Sequence, residues 1–352
     1  MGFLDLFKRV LPLSDNDQYC LQLLEGEEEY EEVKRVIKEG KAKFLLQKFN
    51  ISMYQDGDYF QLVSEFPELN ELLMQVNAKL KLIGQKDIYS RFSKDALNLV
   101  KKIISSNIAG MNSAKDVLSL QLFSKEYLHV LLFGDNPAMK ALANNAAYLS
   151  PNAVAVKAAS AMANNSLSHA NNGLAVIHDL MMMHRLDRAD FYTALNTGFI
   201  MKEGLRMETN AKILATITPS GGLEPTVERV RSQLPEDKMI SKFHLTLLGR
   251  KSIDNPQKIA IKKEDREFIQ DYIKLANTIN VSISKEFEAD IKQFTENLKK
   301  KEYYFFTDIR ENLTEAIVNM SKSMARSRLT VNVEPQDVHR AKEIVLESLK
   351  GN

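Results

Sequence analysis

A lysine six residues behind a glycine, where an apolar run gives way to a helix, can serve phosphate chemistry. The stretch Gly134-Asp135-Asn136-Pro137-Ala138-Met139-Lys140-Ala141 has this form and follows the run His129–Phe133. A phosphate loop needs glycines so that backbone N–H groups can wrap the phosphates, a lysine for the β and γ oxygens, and a Ser or Thr hydroxyl for magnesium. Here Pro137 fixes φ and removes an N–H where donors are wanted. Ala141 offers no hydroxyl. For catalysis, the stretch therefore reads as a plain strand-to-helix turn, with at most weak nucleotide binding left to it. A second candidate, His178-Asp179, closes the apolar run Gly173–Ile177 and sets an imidazole beside a carboxylate. As a metal site, His178 and His184 lack further ligands, and the six histidines are otherwise scattered.

Composition sets the frame. The chain has 352 residues, 44% hydrophobic and 26% charged, with a formal net charge of +1. These are the proportions of a globular protein of two or three domains. Near-zero net charge gives no global pull towards nucleic acid or membrane, so any DNA contact has to be local. The one cysteine, Cys20, can build neither a disulfide within the chain nor a cysteine zinc site, which fits a reducing interior. Apolar runs such as Leu128–Phe133 have strand length and are too short to span a bilayer. Met1–Leu6 lacks the hydroxyl of a myristoylation signal and the cleavage region of a secretory leader. A cytoplasmic or nucleoid-associated location follows as an expectation.

Several elements must position the candidate residues. Residues 1–88 read as mainly helical, with an acidic run at Glu25–Glu32 and a turn at Asp56-Gly57-Asp58. From Ser93 onward, Ala96, Leu97, Val100, Ile103 and Ile104 form an apolar helical stripe, and a second helix is predicted over Ser113–Phe123. Buried strands are predicted at His129–Phe133, Leu174–Ile177, Ile213–Ile217 and Phe243–Leu248, with helices between them, notably Leu186–Leu195. Alternating apolar strands and helices predict a parallel α/β sheet covered on both faces. Residues 250–263 read as a linker. Helices follow at Asp265–Ile279, Ser284–Lys300 and Asp308–Arg326, and a last one runs from Pro335 to Leu349.

Longer segments carry a family resemblance. Ser105–Phe123, SSNIAGMNSAKDVLSLQLF, resembles the segment before the nucleotide loop in minichromosome maintenance (MCM) proteins of the AAA+ class, and His129–Asp135 resembles their HLLLVGDPG. Leu313–Val345 contains Met324-Ala325-Arg326-Ser327-Arg328-Leu329 and Val333-Glu334-Pro335-Gln336-Asp337-Val338, similar to the family's lid. The resemblance implies an α/β AAA+ P-loop core with a parallel sheet over 89–250, a linker and helical lid over 251–352, and a small, mainly helical region over 1–88. That region is too short for the family's helical domain, zinc module and OB-fold together. Tyr59–Met74 faintly resembles the family's N-terminal helical subdomain. Tyr148–Asn172 is shorter than the corresponding family segment, which implies loss of a protruding insertion.

Each catalytic station of the family falls on an altered residue. Against GDPGxAKS, Lys140 stays in register, Pro137 replaces a glycine and Ala141 replaces the magnesium-binding hydroxyl. Against GIAVIDEFDKM, His178 takes the metal-side aspartate position and Asp179 the catalytic glutamate position. Thr218 stands at the sensor asparagine position. Lys242 stands where an arginine finger is usual, keeping the charge without the bidentate fork. The lid arginine falls at Asn312, with Arg310 two residues earlier, and a shift in the alignment would restore it. Losses at this many stations compound, since an arginine finger alone is worth about 10³-fold or more in rate.

In the hairpin that touches DNA in this family, Lys202 matches the family's lysine and Arg206 follows, beside Glu203. The resemblance thus implies a non-catalytic MCM-like protein acting in DNA replication, with no resident cofactor and ATP and magnesium held weakly if at all. Its partners would be DNA through that hairpin, an active MCM or other replication protein, or further copies of itself. Two alternatives stay open: a divergent active DNA-dependent ATPase using Lys140, Asp179, Lys242 and Arg310, and a self-associating structural protein.

Overall fold

A computed structural model of the chain describes residues 51–56, 59–64, 86–106, 108–134, 137–161, 166–202, 205–219, 227–233, 239–249, 261–310 and 312–351. The chain divides into two compact units, Met1–Phe92 and Ser93–Asn352.

In the first unit, strands β1 (Ile51–Asp56) and β2 (Tyr59–Ser64) pair antiparallel from Ile51↔Ser64 to Asp56↔Tyr59, and helix α1 spans Lys86–Ser93. The expected turn at Asp56-Gly57-Asp58 separates strands, so the mainly helical reading is corrected over 51–64. Tyr and Phe at 59 and 60 favour strands, and the ladder leaves a two-residue Gly57-Asp58 connection, a composition common in hairpins. The acidic run at 25–32, the linker at 250–260 and residues 65–74 of the faint N-terminal resemblance lie outside the described residues.

The second unit is built on a five-stranded parallel sheet in the order β4-β5-β8-β3-β9. Helices α2 (Ala96–Ile104) and α3 (Asn112–Leu122) precede β3 (Val130–Phe133). Then follow α4 (Pro137–Leu149), β4 (Ala153–Lys157), the short α5 (Ala158–Ala161) and α6 (Ser166–His169), and β5 (Leu174–His178). Helix α7 (Arg185–Thr197) leads into a hairpin of β6 (Phe199–Lys202) and β7 (Leu205–Glu208), which returns the chain to β8 (Lys212–Ile217). After α8 (Val227–Gln233) comes β9 (Leu245–Leu248). This is the α/β core that the resemblance implies.

Every residue of β3 and β8 is buried, which is why β3 is a continuous apolar run and β8 is apolar at all positions but Lys212 and Thr216. Each large side chain so buried stabilises the fold by roughly 1.5–3 kcal/mol. Strand β4, only half-buried, sits at the sheet edge and has no counterpart among the predicted strands. Its Ala-Val-Ala-Val sequence lies in the shortened Tyr148–Asn172 stretch, of which 162–165 are outside the described residues.

The lid comprises α9 (Lys263–Thr278), α10 (Lys285–Lys299), α11 (Leu313–Ser327) and α12 (Pro335–Leu349). Pro335 opens α12, and Glu334 and Asp337 form a reciprocal capping box there. The lid is fastened to the core by charge as well as by packing. Arg326, only 1% exposed, grips Glu126 bidentately, with one contact at 2.6 Å. Burial works against ionisation of Glu126, yet the hydrogen bond and charge of Arg326 hold its carboxyl below the usual range.

Candidate functional site

In open parallel sheets, ligands meet the chain beyond the carboxyl ends of the strands. Four of those ends converge on the candidate residues. Gly134 follows β3 and donates its N–H to Ile217 O at 3.0 Å, while Gly249 follows β9 and donates to Phe133 O at 2.9 Å. Pro137 occupies the first position of α4, the one helical site where a missing N–H costs nothing to the helix. Ala138, Met139, Lys140 and Ala141 complete its first turn, so Lys140 leaves the helix at its entrance. Asp135 and Asn136 lie outside the described residues.

The Lys140 ammonium lies 3.2 Å from Asp179 Oδ2. The other carboxylate oxygen of Asp179 accepts a hydrogen bond from the Thr218 hydroxyl at 3.1 Å. Asp179 itself adopts the left-handed conformation, with φ 56°, and its N–H donates to Thr216 Oγ1 at 3.0 Å. Aspartate tolerates this region better than most side chains. Beside it, His178 Nε2 is 2.9 Å from Asn144 Oδ1, and His178 Nδ1 is buried without a partner. Burial first and the Lys140 charge second lower the pKa of this imidazole, with Asp179 partly offsetting them. His178 is therefore a neutral imidazole at pH 7.

This donor set fits magnesium poorly. Ala141 contributes no oxygen, His178 brings a neutral ring where a metal-side carboxylate would stand, and both oxygens of Asp179 are engaged by Lys140 and Thr218. Among the described residues no group of three or more His, Cys, Asp or Glu is arranged to hold a metal, and His184 Nδ1 accepts from Leu186 N at the entrance of α7.

The remaining predicted residues gather elsewhere. Arg310 Nη1 donates to Ile240 O at 2.6 Å and Phe243 O at 3.2 Å, and Asn312 Nδ2 reaches Ser241 O at 3.4 Å. Both thereby dock the lid on the short 3₁₀ turn Ile240–Lys242. Lys242 itself lies 5.5 Å over the Tyr192 ring. In the hairpin, Lys202 ends β6, while Arg206 in β7 pairs with Glu208 at 3.0 Å and stacks 4.1 Å over Phe199. Met201 and Leu205 are exposed, at 62% and 70%.

Sequence reasoning missed Asn144, Thr216 and Gly249. Asn144 sits one helical turn beyond Lys140, and that spacing is the signal that could have found it. Gly249 is required by close packing: a Cβ there would lie 1.6 Å from Met139 Sδ, and one on Gly134 would lie 2.5 Å from Gly249 O.

The MCM AAA-lid domain family matches residues 267–349. Among solved structures, a full-length MCM homologue from Methanopyrus kandleri has the same fold, with a TM-score of 0.62 at 19% identity over 76% of this chain. The match spans 61% of that homologue's length. No curated protein sequence matches this chain. Among the described residues no helix is long and apolar enough to cross a membrane. The chain is thus similar to the MCM AAA-lid family over its lid and shares its fold with that MCM homologue.

Proposed function

We propose that this chain is a non-hydrolysing MCM-type AAA+ protein of DNA replication, which binds a partner protein, a DNA strand or both and acts on an active MCM ring. The observation that carries this reading is the closed set Lys140–Asp179–Thr218 next to Ala141. The lysine that would draw phosphates is answered by the carboxylate that would polarise water, and the hydroxyl that would hold magnesium is absent. Arg310 supports the reading too, since its guanidinium is committed to two backbone carbonyls and not to a nucleotide.

The test is magnesium-dependent ATP hydrolysis by the full chain, with Lys140→Ala as control. The expected rate is about 10³-fold or more below that of an active AAA+ enzyme, the scale set by loss of an arginine finger alone, and unchanged by the substitution. Turnover at ordinary rates that Lys140→Ala abolishes would instead establish the divergent-ATPase alternative.

The hairpin favours the protein-binding branch. Arg206 has its charge answered by Glu208 and Phe199 within the hairpin, whereas Met201 and Leu205 give it an apolar exterior suited to a protein surface. Titration of ATPase and unwinding by an active MCM ring with this chain checks that branch. A change in either activity that Met201→Ser/Leu205→Ser removes is the expected result, and no change at saturating chain counts against it. Light scattering of the chain alone addresses the self-association alternative.

A further inference from the structure

At the amino ends of the same strands the chain builds a second polar site. A cleft of about 270 Å³ opens where the segments entering β3, β4, β5 and β8 meet lid helix α9. Lys212, the first residue of β8, lines it while being only 6% exposed. Its ammonium donates to Ser124 O at 2.8 Å and Leu122 O at 3.4 Å. Lys125 lines the same cleft and reaches only the amide oxygen of Asn280, at 2.6 Å. Among the described residues neither lysine is paired with a carboxylate. Lys274, from α9, is held 3.3 Å from Asp271 on its own helix. Nearby, Glu126 is already claimed by Arg326 and by Lys322 at 3.9 Å.

Buried cations are ordinarily paired, because leaving one without a counter-charge is costly. Here Lys212 makes no ion pair among the described residues, and Glu126 supplies only part of the counter-charge. Asn152 and Asn172 also line the cleft, and no hydrogen bond engages their side-chain amides among the described residues, so these are available as further donors. Asn277 gives its amide N–H to Leu122 O at 3.0 Å, and its Oδ1 is buried without a partner. The volume is below that of most drug-sized pockets, which start near 300 Å³, and suits a compact anion.

We propose that this core–lid cleft binds a small phosphate-bearing anion, which Lys212 and Lys125 neutralise and which ties α9 to the amino edge of the sheet. The site lies at the opposite end of the strands from Lys140 and does not depend on the function proposed above. Burial, then the Arg326 charge, brings the Lys212 amine down to about 7, with Glu126 partly opposing them. A bound anion favours the charged amine, so at pH 8 its binding draws a proton from the medium.

The experiment is calorimetric titration of the full chain with inorganic phosphate at constant ionic strength and pH 8. Two buffers of different ionisation enthalpy report proton uptake, and a nucleoside monophosphate arm separates a free phosphate from a phosphomonoester. Saturable binding with proton uptake is expected, weakened about tenfold in Lys212→Met and unchanged in Lys140→Ala. If Lys212→Met does not fold, Lys125→Ala and Asn172→Ala on the rim provide the same reading, with several-fold weakening expected in each. The proposal is overturned by an absence of saturable binding at tens of millimolar. Binding lost in Lys140→Ala alone overturns it as well, and so does binding that neither rim variant weakens.

Discussion

The two edges of the five-stranded sheet handle charge in opposite ways. At the carboxyl edge, among the described residues, the Asp179 carboxylate meets Lys140 and Thr218, so the three satisfy one another. At the amino edge, Lys212 donates to carbonyl oxygens, while nearby Glu126 is taken by Arg326. One fold thus carries one edge that resembles a ligand site in position yet answers its own charges, and another that occupies no customary position and leaves charge unanswered. Position in a fold is a weaker guide to binding than the balance of charge found there.

Removing the amino-edge anchor tests that contrast most severely. Arg326→Ala leaves Glu126 without its bidentate partner and empties a fully buried site, and loss of about 3 kcal/mol or more is expected from buried-pair precedents. Urea unfolding measures it, and a loss below about 1 kcal/mol would mean that this pair does not organise the core–lid junction.

The second prediction concerns pH. Lys212 carries a proton in the unfolded chain up to about pH 10.4 but releases it near 7 in the fold. Between those values the unfolded state holds more protons, so stability rises with pH, by up to about 1.4 kcal/mol per pH unit from this residue. The full cost of its burial is felt below pH 7. Chemical denaturation at several pH values should show the rise in wild type and a flatter profile in Lys212→Met. Equal slopes would remove the amino edge's claim to an unanswered charge.

Overpacking probes the carboxyl edge. Gly249→Ala drives a methyl into Met139 Sδ, and a cost of about 1–3 kcal/mol is expected. The double variant Met139→Ala/Gly249→Ala should recover part of that loss, and additive effects would deny that the two residues share one space. The smallest effect is expected at Lys140→Ala. Its ion pair is 47% exposed on the lysine side and 36% on the aspartate side, so a stability change within about 0.5 kcal/mol is expected. A large loss there would give the closed triad a structural importance that its exposure denies it.

The sheet's interior was legible because Val130–Phe133, Leu174–Ile177 and Ile213–Ala215 are buried and spell that out as apolar runs. Strand β4 was not, since its five residues lie half-exposed at an edge and alternate only weakly. Residues 51–64 misled for a related reason: short amphipathic stretches around a turn suit either period until a pairing register is known. At the candidate site, Lys140, Asp179 and Thr218 could be placed because each follows a recognisable strand. That Asp179 accepts from both of the others was not readable, because the contacts cross about forty positions of sequence. The amino-edge cleft was invisible for the same reason. Lys212 reads as one more surface lysine until β8 is seen buried along its whole length.

The contact between Met139 and Gly249 has a consequence for protein engineering. Restoring the missing hydroxyl at 141 would change one residue of α4 while its neighbour, a sulfur seated against a bare backbone, stays locked to the end of β9. A graft of a working loop therefore has to carry positions 134, 139 and 249 together, because any one exchanged alone leaves either a hole or a collision.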